Sequence, residues 1–151
     1  MMSFQEYTTY QEIKSQPEAW VQALEIARAA NLRTFAGTHD QVIFTGCGST
    51  YYLSMAVAAL YQELTGRSAR AVPAGELLLN PQTALTGGKT LLVAASRSGT
   101  TTETVKAVEK FKHEKHGDVV VISNYDEALS HLADVNILIS KGQEESIAQT
   151  R

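Results

Sequence analysis

The stretch Ala94-Ala-Ser-Arg-Ser-Gly-Thr-Thr-Thr-Glu-Thr104 joins an apolar run to a helix-forming segment through a turn rich in hydroxyl side chains. Gly99, within that turn, tolerates positive φ angles and allows a close backbone approach. The first N–H groups of a helix have no acceptor inside the helix, and the aligned peptide dipoles leave this end partly positive. A strand, such a turn and a helix in succession therefore predict an anion site that suits phosphate.

The same turn has a simpler interpretation as a helix cap. Thr100-Thr-Thr-Glu103 fits a capping box, in which a hydroxyl and Glu103 satisfy N–H groups at the start of the helix. Hydroxyl side chains in the turn stand at Ser96, Ser98, Thr100 and Thr101. Because a cap uses only one or two of them, their number favours ligand binding, and the cap remains the alternative.

Short apolar runs alternate with amphipathic stretches on both sides of this turn. Strands are predicted at residues 42–45, 70–72, 90–95, 119–122 and 135–139. Helices are predicted between them at residues 50–64, 75–79, 101–112 and 126–132. Continuous hydrophobicity is typical of parallel strands covered on both faces. We therefore expect an α/β fold, doubly wound, with three α/β/α layers around a five-stranded parallel sheet and ligands at the carboxyl edge.

The chain divides into two predicted parts, an N-terminal helical segment over residues 1–37 and the α/β domain over residues 38–151. Ser15-Gln-Pro-Glu18 fits a capping box with proline in the first turn, which predicts one short helix before it and a second helix beginning there. Trp20 and Leu24 then recur at helical spacing, which predicts packing through the tryptophan face.

Composition excludes several classes of protein. A chain of 151 residues with 44% hydrophobic residues is long enough for one globular domain. Its formal net charge of −3 does not provide the basic surface that nucleic-acid binding requires. No apolar run approaches membrane-spanning length. From the charge and the hydropathy together, neither nucleic acid nor a membrane is an expected partner. The single cysteine, Cys47, fits a reducing compartment, and we expect a cytoplasmic location.

A second glycine-bearing turn, Gly46-Cys-Gly-Ser-Thr50, follows the first predicted strand and leads into a helix. Tyr51 stands where a dinucleotide-binding fingerprint has its third glycine, and the Lys-Ser/Thr ending of a P-loop is missing. Neither NAD chemistry nor nucleotide hydrolysis is supported, and we predict no cofactor. The turn is a candidate for a second wall of the ligand site.

Three other candidate groups give weaker signals. His113 and His116 are spaced like a metal pair, but no Cys or carboxylate pattern accompanies them, so we expect no metal. Cys47 could act as a nucleophile at a helix start, but no histidine lies in a partnering motif, and we interpret it as a small buried side chain. Arg97 could clamp a phosphate or simply lie at the surface.

A third polar turn, Lys141-Gly-Gln-Glu-Glu-Ser-Ile-Ala-Gln-Thr-Arg151, follows the fifth predicted strand and is expected to begin a helix. Glu144 and Glu145 near a helix start complement its dipole, which is the simpler interpretation. The functional interpretation makes this turn a third wall of a polyol pocket.

Together, Gly46-Cys-Gly-Ser-Thr50, Ser96-Arg-Ser-Gly-Thr-Thr101 and Glu144-Glu-Ser-Ile-Ala-Gln-Thr-Arg151 resemble, in order and spacing, the SIS (sugar isomerase) domain over about residues 38–151. The chain looks most like the first SIS domain of the isomerising glutamine–fructose-6-phosphate aminotransferase group and of related amino-sugar-phosphate deaminases and ketose–aldose isomerases. Residues 12–20 are similar to the opening of the tagatose-6-phosphate isomerase-like branch. The resemblance implies a flavodoxin-like doubly wound sheet.

The resemblance also implies a site for a hexose 6-phosphate or amino-sugar phosphate. The residues that it assigns to phosphate binding are Ser96, Ser98 and Thr101, with the backbone of Arg97 and Gly99. Ser49 and Thr50 match first-loop positions that touch the sugar phosphate, and Ile147 and Gln149 match positions near the reactive end of the sugar. Glu144 marks the start of that last motif, and Gly48 and Glu144 are also assigned to substrate binding. Arg97 replaces a glutamine common in the aminotransferases and Thr100 replaces an acidic residue, which favours the deaminase or isomerase branch.

In this family the catalytic groups come largely from a second SIS domain and the C-terminal tail. The resemblance therefore implies no catalytic residue in this chain, which is expected to be inactive alone and to serve as the phosphosugar-binding half of an isomerase or deaminase. It also implies homodimers, and a first SIS domain that continues past Arg151 into a long helix, so that this chain is a truncated domain. The alternative is a non-catalytic phosphosugar-sensing module of a regulator.

Overall fold

A five-stranded, all-parallel sheet forms the centre of the protein. The structure is a computed structural model that describes residues 7–35, 37–146 and 150. The strands are β1 (Gln41–Gly46), β2 (Ala69–Pro73), β3 (Thr90–Ser96), β4 (Gly117–Ser123) and β5 (Val135–Leu138). Their spatial order is β2-β1-β3-β4-β5. The predicted α/β fold with a five-stranded parallel sheet is confirmed, and each predicted strand overlaps an observed one.

Helices cover both faces of this sheet. They are α1 (Thr8–Ala29), α2 (Ser49–Thr65), α3 (Ala74–Leu79) and α4 (Thr102–His113). Short 3₁₀ turns lie at Leu32–Phe35, Pro81–Thr83, Ser130–Leu132 and Ser140–Gly142. Helices α1 and α2 lie on one face, and α3 and α4 lie on the other. This is the expected three-layer arrangement.

Alternate residues of the strands supply the two layers of the core. Ile43 and Leu92 face α3 and α4, where they pack with the fully buried Phe111. Val42 and Phe44 face α2 and pack near Ala58. Side chains on both faces are buried because parallel strands are covered on both sides. Each fully buried large apolar side chain contributes roughly 1.5–3 kcal/mol.

The N-terminal segment differs from its prediction in two ways. Helix α1 is one continuous helix that contains Pro17, and the hydroxyl of Ser15 donates to carbonyl groups one turn earlier instead of capping a helix start. The tryptophan face is also not the packing face, since Trp20 is 58% exposed whereas Glu12 and Ala19 are buried. Tertiary contacts of the Glu12 face override the local break signal of the proline.

The helix predicted at residues 126–132 is wrong, since only the 3₁₀ turn Ser130–Leu132 forms there. The carbonyl oxygen of Tyr125 accepts hydrogen bonds from the hydroxyls of Ser123 and Ser130 at 3.0 and 3.1 Å. Side-chain donors thus take the acceptor that a helical backbone ladder would use. The segment folds into a compact turn behind β4.

A charged cluster lies at the amino edge of the sheet, where β4 begins. Asp118 accepts hydrogen bonds from the Nε2 atom of His39 at 2.8 Å and from Nζ of Lys89 at 2.7 Å. The hydrogen bond from Lys89 lowers the pKa of Asp118 most, partial burial opposes this, and the hydrogen bond from His39 adds to the lowering. This edge is opposite to the one at which the candidate site lies.

Candidate functional site

A crevice opens at the carboxyl edge of the sheet, between α1 and α2. The strand order places β1 beside β3, while α2 and α4, which follow these strands, lie on opposite faces. This is a topological switch point, the place where open α/β sheets bind ligands. The crevice has a volume of about 290 Å³, close to the lower end for small-molecule sites. Its walls include Ser49 and Thr50 from the first turn and Ser96 and Arg97 from the second.

Buried hydroxyls shape the turn between β3 and α4. Ser96 is 4% exposed, and its Oγ lies 3.2 Å from the Oγ1 atom of Thr101 and accepts the N–H of Gly99 at 3.2 Å. Thr101 is the N-cap residue of α4 but makes no side-chain capping hydrogen bond in the described structure. Its hydroxyl is thus directed to Ser96 and not to the helix, contrary to the capping-box alternative.

The rest of this turn is folded tightly on its neighbours. The Oγ of Ser98 accepts hydrogen bonds from the N–H and hydroxyl of Thr100 at 3.3 and 3.1 Å. Gly99 has a φ of +69°, and a Cβ there would lie 3.1 Å from the Cβ of Glu127 and 3.2 Å from the carbonyl oxygen of Tyr125. Both the angle and the approach require glycine.

The turn between β1 and α2 is closed by its own threonine. The Oγ1 of Thr50 accepts the N–H of Cys47 at 3.0 Å and donates to the carbonyl of Cys47 at 2.9 Å. Gly48 precedes α2 with a φ of +56°. A Cβ at Gly46 would lie 2.4 Å from the Oγ1 of Thr50 and 2.9 Å from the carbonyl oxygen of Ala95. Gly46 therefore lets the first turn approach the end of β3.

An ion pair joins the second turn to the third. The Nη1 of Arg97 lies 3.0 Å from the Oε2 of Glu144, whose side chain is fully buried. The Oε1 of Glu144 accepts the N–H and, at 2.7 Å, the hydroxyl of Thr150. The hydroxyl of Tyr125 accepts the N–H of Glu144 and donates to its carbonyl, both at 2.9 Å. Arg97 is thus only partly exposed and joins two turns through this ion pair.

The structure brings most of the predicted site residues to one edge of the sheet. Those in the described part of the chain are Gly48, Ser49, Thr50, Ser96, Arg97, Ser98, Gly99, Thr101 and Glu144. Ile147 and Gln149 lie outside the described residues. The helix expected to begin in the third turn is not present through residue 146, where a 3₁₀ turn at Ser140–Gly142 and a bend stand instead.

His116 and Cys47 make ordinary structural contacts. The Nε2 of His116 lies 2.9 Å from the Oε2 of Glu114, within hydrogen-bonding distance. Within the described ranges, no three His, Cys, Asp or Glu residues are grouped so that they could hold a metal ion. Cys47 is partly buried and receives a hydrogen bond from the hydroxyl of Thr104 at 3.6 Å. None of the described helices is long and apolar enough to cross a membrane.

Sequence reasoning missed three residues at this edge. Trp20 of α1 lines the crevice together with Ala19 and Ala23, and helical periodicity alone does not show this. Asn124 also lines the crevice, and its position directly after β4 was a usable signal. Glu12 is buried on α1 and accepts hydrogen bonds from the third turn. The sequence did not indicate this, because a glutamate within a helix usually faces solvent.

Comparisons with known proteins agree with this architecture. The D-galactosamine-6-phosphate deaminase AgaS of Escherichia coli is 31% identical over 117 residues, covering 67% of this chain and 28% of that protein. The isomerizing glutamine–fructose-6-phosphate aminotransferase of Helicobacter pylori is 28% identical over 117 residues, covering 74% of this chain and 18% of that protein. The chain therefore spans less than a third of either relative.

A solved structure gives the same result for the fold. The tagatose-6-phosphate ketose/aldose isomerase of Escherichia coli superposes with a TM-score of 0.84 at 25% identity, covering 99% of this chain and 45% of that one. Because the superposition covers almost the whole chain, helix α1 belongs to the shared fold. The family model for the SIS domain matches residues 35–151, well over half of the sequence, and this chain belongs to the SIS domain family.

Proposed function

We propose that this chain is the hexose-6-phosphate-binding half of an amino-sugar-phosphate isomerase or deaminase. The turn between β3 and α4 carries the proposal, because the hydroxyls of Ser96 and Thr101 face each other at the switch point while the hydroxyl of Thr101 makes no cap. The relatives named above are a galactosamine-6-phosphate deaminase, a fructose-6-phosphate aminotransferase and a tagatose-6-phosphate isomerase. Their substrates have a sugar 6-phosphate in common.

The second turn supplies donors for the phosphate. The first N–H groups of α4 have no acceptor within the helix, and the helix dipole favours an anion there. Ser98 and Thr101 add hydroxyls, and the guanidinium of Arg97, which is paired with Glu144, adds N–H donors at the wall of the crevice. Hydrogen bonds to a charged group contribute about 1.5–3 kcal/mol each before ordering costs, so a few of them support micromolar to millimolar affinity.

The crevice provides the surface for the sugar. Ser49 and Asn124 place polar groups along it, while Trp20 and Leu53 form an apolar rim from α1 and α2. A phosphate held at one end fixes the orientation of the reacting carbons at the other end. Binding energy from the phosphate is in this way converted into positioning.

Catalysis is expected to need groups from elsewhere. Aldose–ketose isomerisation moves a proton between C1 and C2 and requires a general base near both carbons. Among the described residues that line the crevice there is no carboxylate, histidine or lysine. A binding half without its own base is the arrangement that we propose.

The same lining also suits a second candidate function, a phosphosugar-sensing module of a regulator, which needs affinity without chemistry. An assay of the chain within its whole protein separates the two. Conversion of galactosamine 6-phosphate or isomerisation of a ketose 6-phosphate supports the enzyme, and binding without turnover supports the sensor.

We also propose that the chain acts in the cytoplasm as a homodimer. Helices α1 and α2 expose large apolar side chains, two of which, Trp20 and Leu53, line the crevice. Large exposed apolar patches on a protein surface mark interaction sites. The residues concerned are Trp20, Val21, Leu24, Tyr52, Leu53, Met55, Leu60 and Leu64. We call this set the apolar face.

Calorimetry with galactosamine 6-phosphate and fructose 6-phosphate tests the phosphate site. Thr101→Val keeps the shape of the side chain and removes its hydroxyl, and Ser98→Ala removes another, so each is expected to weaken binding about 10-fold or more. Ser68→Ala, at an exposed serine before β2 on the opposite edge, is the matched control and should bind like the wild type. Equal affinity of all four proteins refutes the phosphate site.

A further inference from the structure

A buried carboxylate on α1 holds the third turn of the candidate site. Glu12 is 2% exposed, and its Oε1 accepts the N–H groups of Glu145 at 2.6 Å and Ser146 at 3.2 Å. The hydroxyl of Ser146 donates to the Oε2 of the same carboxylate. The two oxygens of Glu12 therefore bind one short segment more than 130 residues away, Oε1 through its backbone N–H groups and Oε2 through the Ser146 hydroxyl.

Burial of the Glu12 carboxylate costs free energy that its hydrogen bonds must offset. A carboxylate taken out of water loses several kcal/mol of hydration free energy, and only good hydrogen bonds offset that loss. A docking contact of α1 could use apolar side chains, and the apolar side chains of Trp20 and Leu24 are instead exposed. The Glu12 contact thus fixes one particular position of the turn.

Two further side chains of α1 bind the same region. The Nε2 of Gln16 donates to the carbonyl of Thr150. Gln22 donates to the hydroxyl of Ser140 at 3.0 Å and accepts the N–H of Lys141 at 2.7 Å. Helix α1 therefore follows the turn along several residues, and Glu12 makes its most buried contact.

The turn that Glu12 holds is connected to the turn between β3 and α4. Glu144, next to the two N–H groups that Glu12 binds, pairs with Arg97, and Arg97 lines the crevice. Glu12 and Glu144 also line a second cavity of about 460 Å³. A displacement of the turn would move Glu144 and with it the guanidinium of Arg97.

We propose that Glu12 is a positioning residue for the phosphosugar site: it sets the third turn and, through Glu144, the placement of Arg97. The inference rests on the function proposed above. It gives α1 a role in substrate affinity although Glu12 itself lines only the second cavity and not the crevice.

Glu12→Gln tests this role, with Glu18→Gln on the exposed side of the same helix as the matched control. A glutamine presents one NH₂ group to backbone N–H donors, so at least one donor loses its acceptor. Calorimetry with galactosamine 6-phosphate, well below the melting temperature of each protein, is expected to show about 10-fold weaker binding for Glu12→Gln and no change for Glu18→Gln. Unchanged affinity of folded Glu12→Gln overturns the proposal.

Amide hydrogen exchange provides a second measurement that needs no ligand. The amides of Glu145 and Ser146 are expected to exchange about 10-fold faster in Glu12→Gln, while amides of β1 and β3 keep their rates. A uniform increase across the chain overturns the positioning role, since it indicates a general loss of stability. If Glu12→Gln does not fold, Ser146→Ala removes one donor and must show the same local exchange and weaker binding, or the proposal fails.

These two measurements separate the inference from the proposed function. A wild-type chain that binds no phosphosugar refutes the proposed function, and the exchange rates at residues 145 and 146 still show whether Glu12 holds the turn. A wild-type chain that binds phosphosugar as strongly as Glu12→Gln refutes only the positioning role.

Discussion

Charged side chains form ion pairs at both edges of the sheet, and the two sets are expected to have different effects. At the carboxyl edge, Arg97 and Glu144 pair between two turns of the candidate site. At the amino edge, Asp118 pairs with Lys89 and the buried His39, far from any site residue. The first pair is expected to affect ligand affinity and the second to affect stability alone.

The amino-edge cluster predicts a pH dependence of stability. The pKa of Asp118 is lowered in the folded state, chiefly by the hydrogen bond from Lys89. A lowered pKa adds stability above the unfolded value of about 3.9, and this stability is lost as the pH falls through the folded pKa. Urea unfolding of Asp118→Asn should show about 0.5–1 kcal/mol less stability than the wild type at pH 7, a modest loss because the side chain is partly exposed to screening.

The difference should shrink as the pH falls below the unfolded pKa and vanish once the pH lies below the lowered folded pKa, where Asp118 is neutral in both states. Asp126→Asn is the control, because the Asp126 side chain is 63% exposed and lies 3.5 Å from His131. This control should differ little in stability from the wild type, because exposed ion pairs contribute little. A constant difference for Asp118→Asn across the whole range would contradict the prediction.

At the scale of elements, the site depends on how closely two turns approach each other. Gly46 ends β1, and a Cβ there would overlap the hydroxyl of Thr50 and the carbonyl oxygen of Ala95. These contacts join the turn before α2 to the end of β3. A methyl group would push the first wall of the crevice away from the second.

We predict that Gly46→Ala lowers the free energy of unfolding by about 1–3 kcal/mol, the usual cost of overpacking. Gly75→Ala is the matched control, since nothing lies within 4 Å of a Cβ in α3, and removing a helical glycine should stabilise by about 0.5–1 kcal/mol. Thermal unfolding of both variants gives the sign of each change. A neutral or stabilising Gly46→Ala would show that the two turns can separate without cost.

Most of the helices and strands could be predicted from the sequence. The five strands and α2, α3 and α4 were predictable because buried parallel strands leave continuous apolar runs and the turns carry glycine and hydroxyls. For α1, two helices were expected where one forms, and its packing face was not predictable, because Glu12 and Gln16 lie on that face and their partners are at the other end of the chain. The sequence predicted Arg97 as a site residue. Its pairing with Glu144 was not predictable, because the two residues are brought together only by the fold.

At the scale of the whole molecule, the crevice and the apolar face adjoin each other. Trp20 and Leu53 belong to both, since they line the crevice and are more than half exposed. A second copy that covers the apolar face would close the open side of the crevice. The assembly would in this way exclude water from the sugar, which strengthens the polar interactions inside.

This arrangement predicts association through α2. Leu60 and Leu64 lie one turn apart on the apolar face and are 51% and 74% exposed. Charges there would have to be buried without partners, so Leu60→Glu with Leu64→Glu should weaken dimerisation about 100-fold or more in sedimentation velocity. Leu79→Glu is the control, because this leucine is 75% exposed on α3, on the opposite face of the sheet. A dimer lost with Leu79→Glu and kept with the α2 variant would place the interface on the α3–α4 layer and separate it from the crevice.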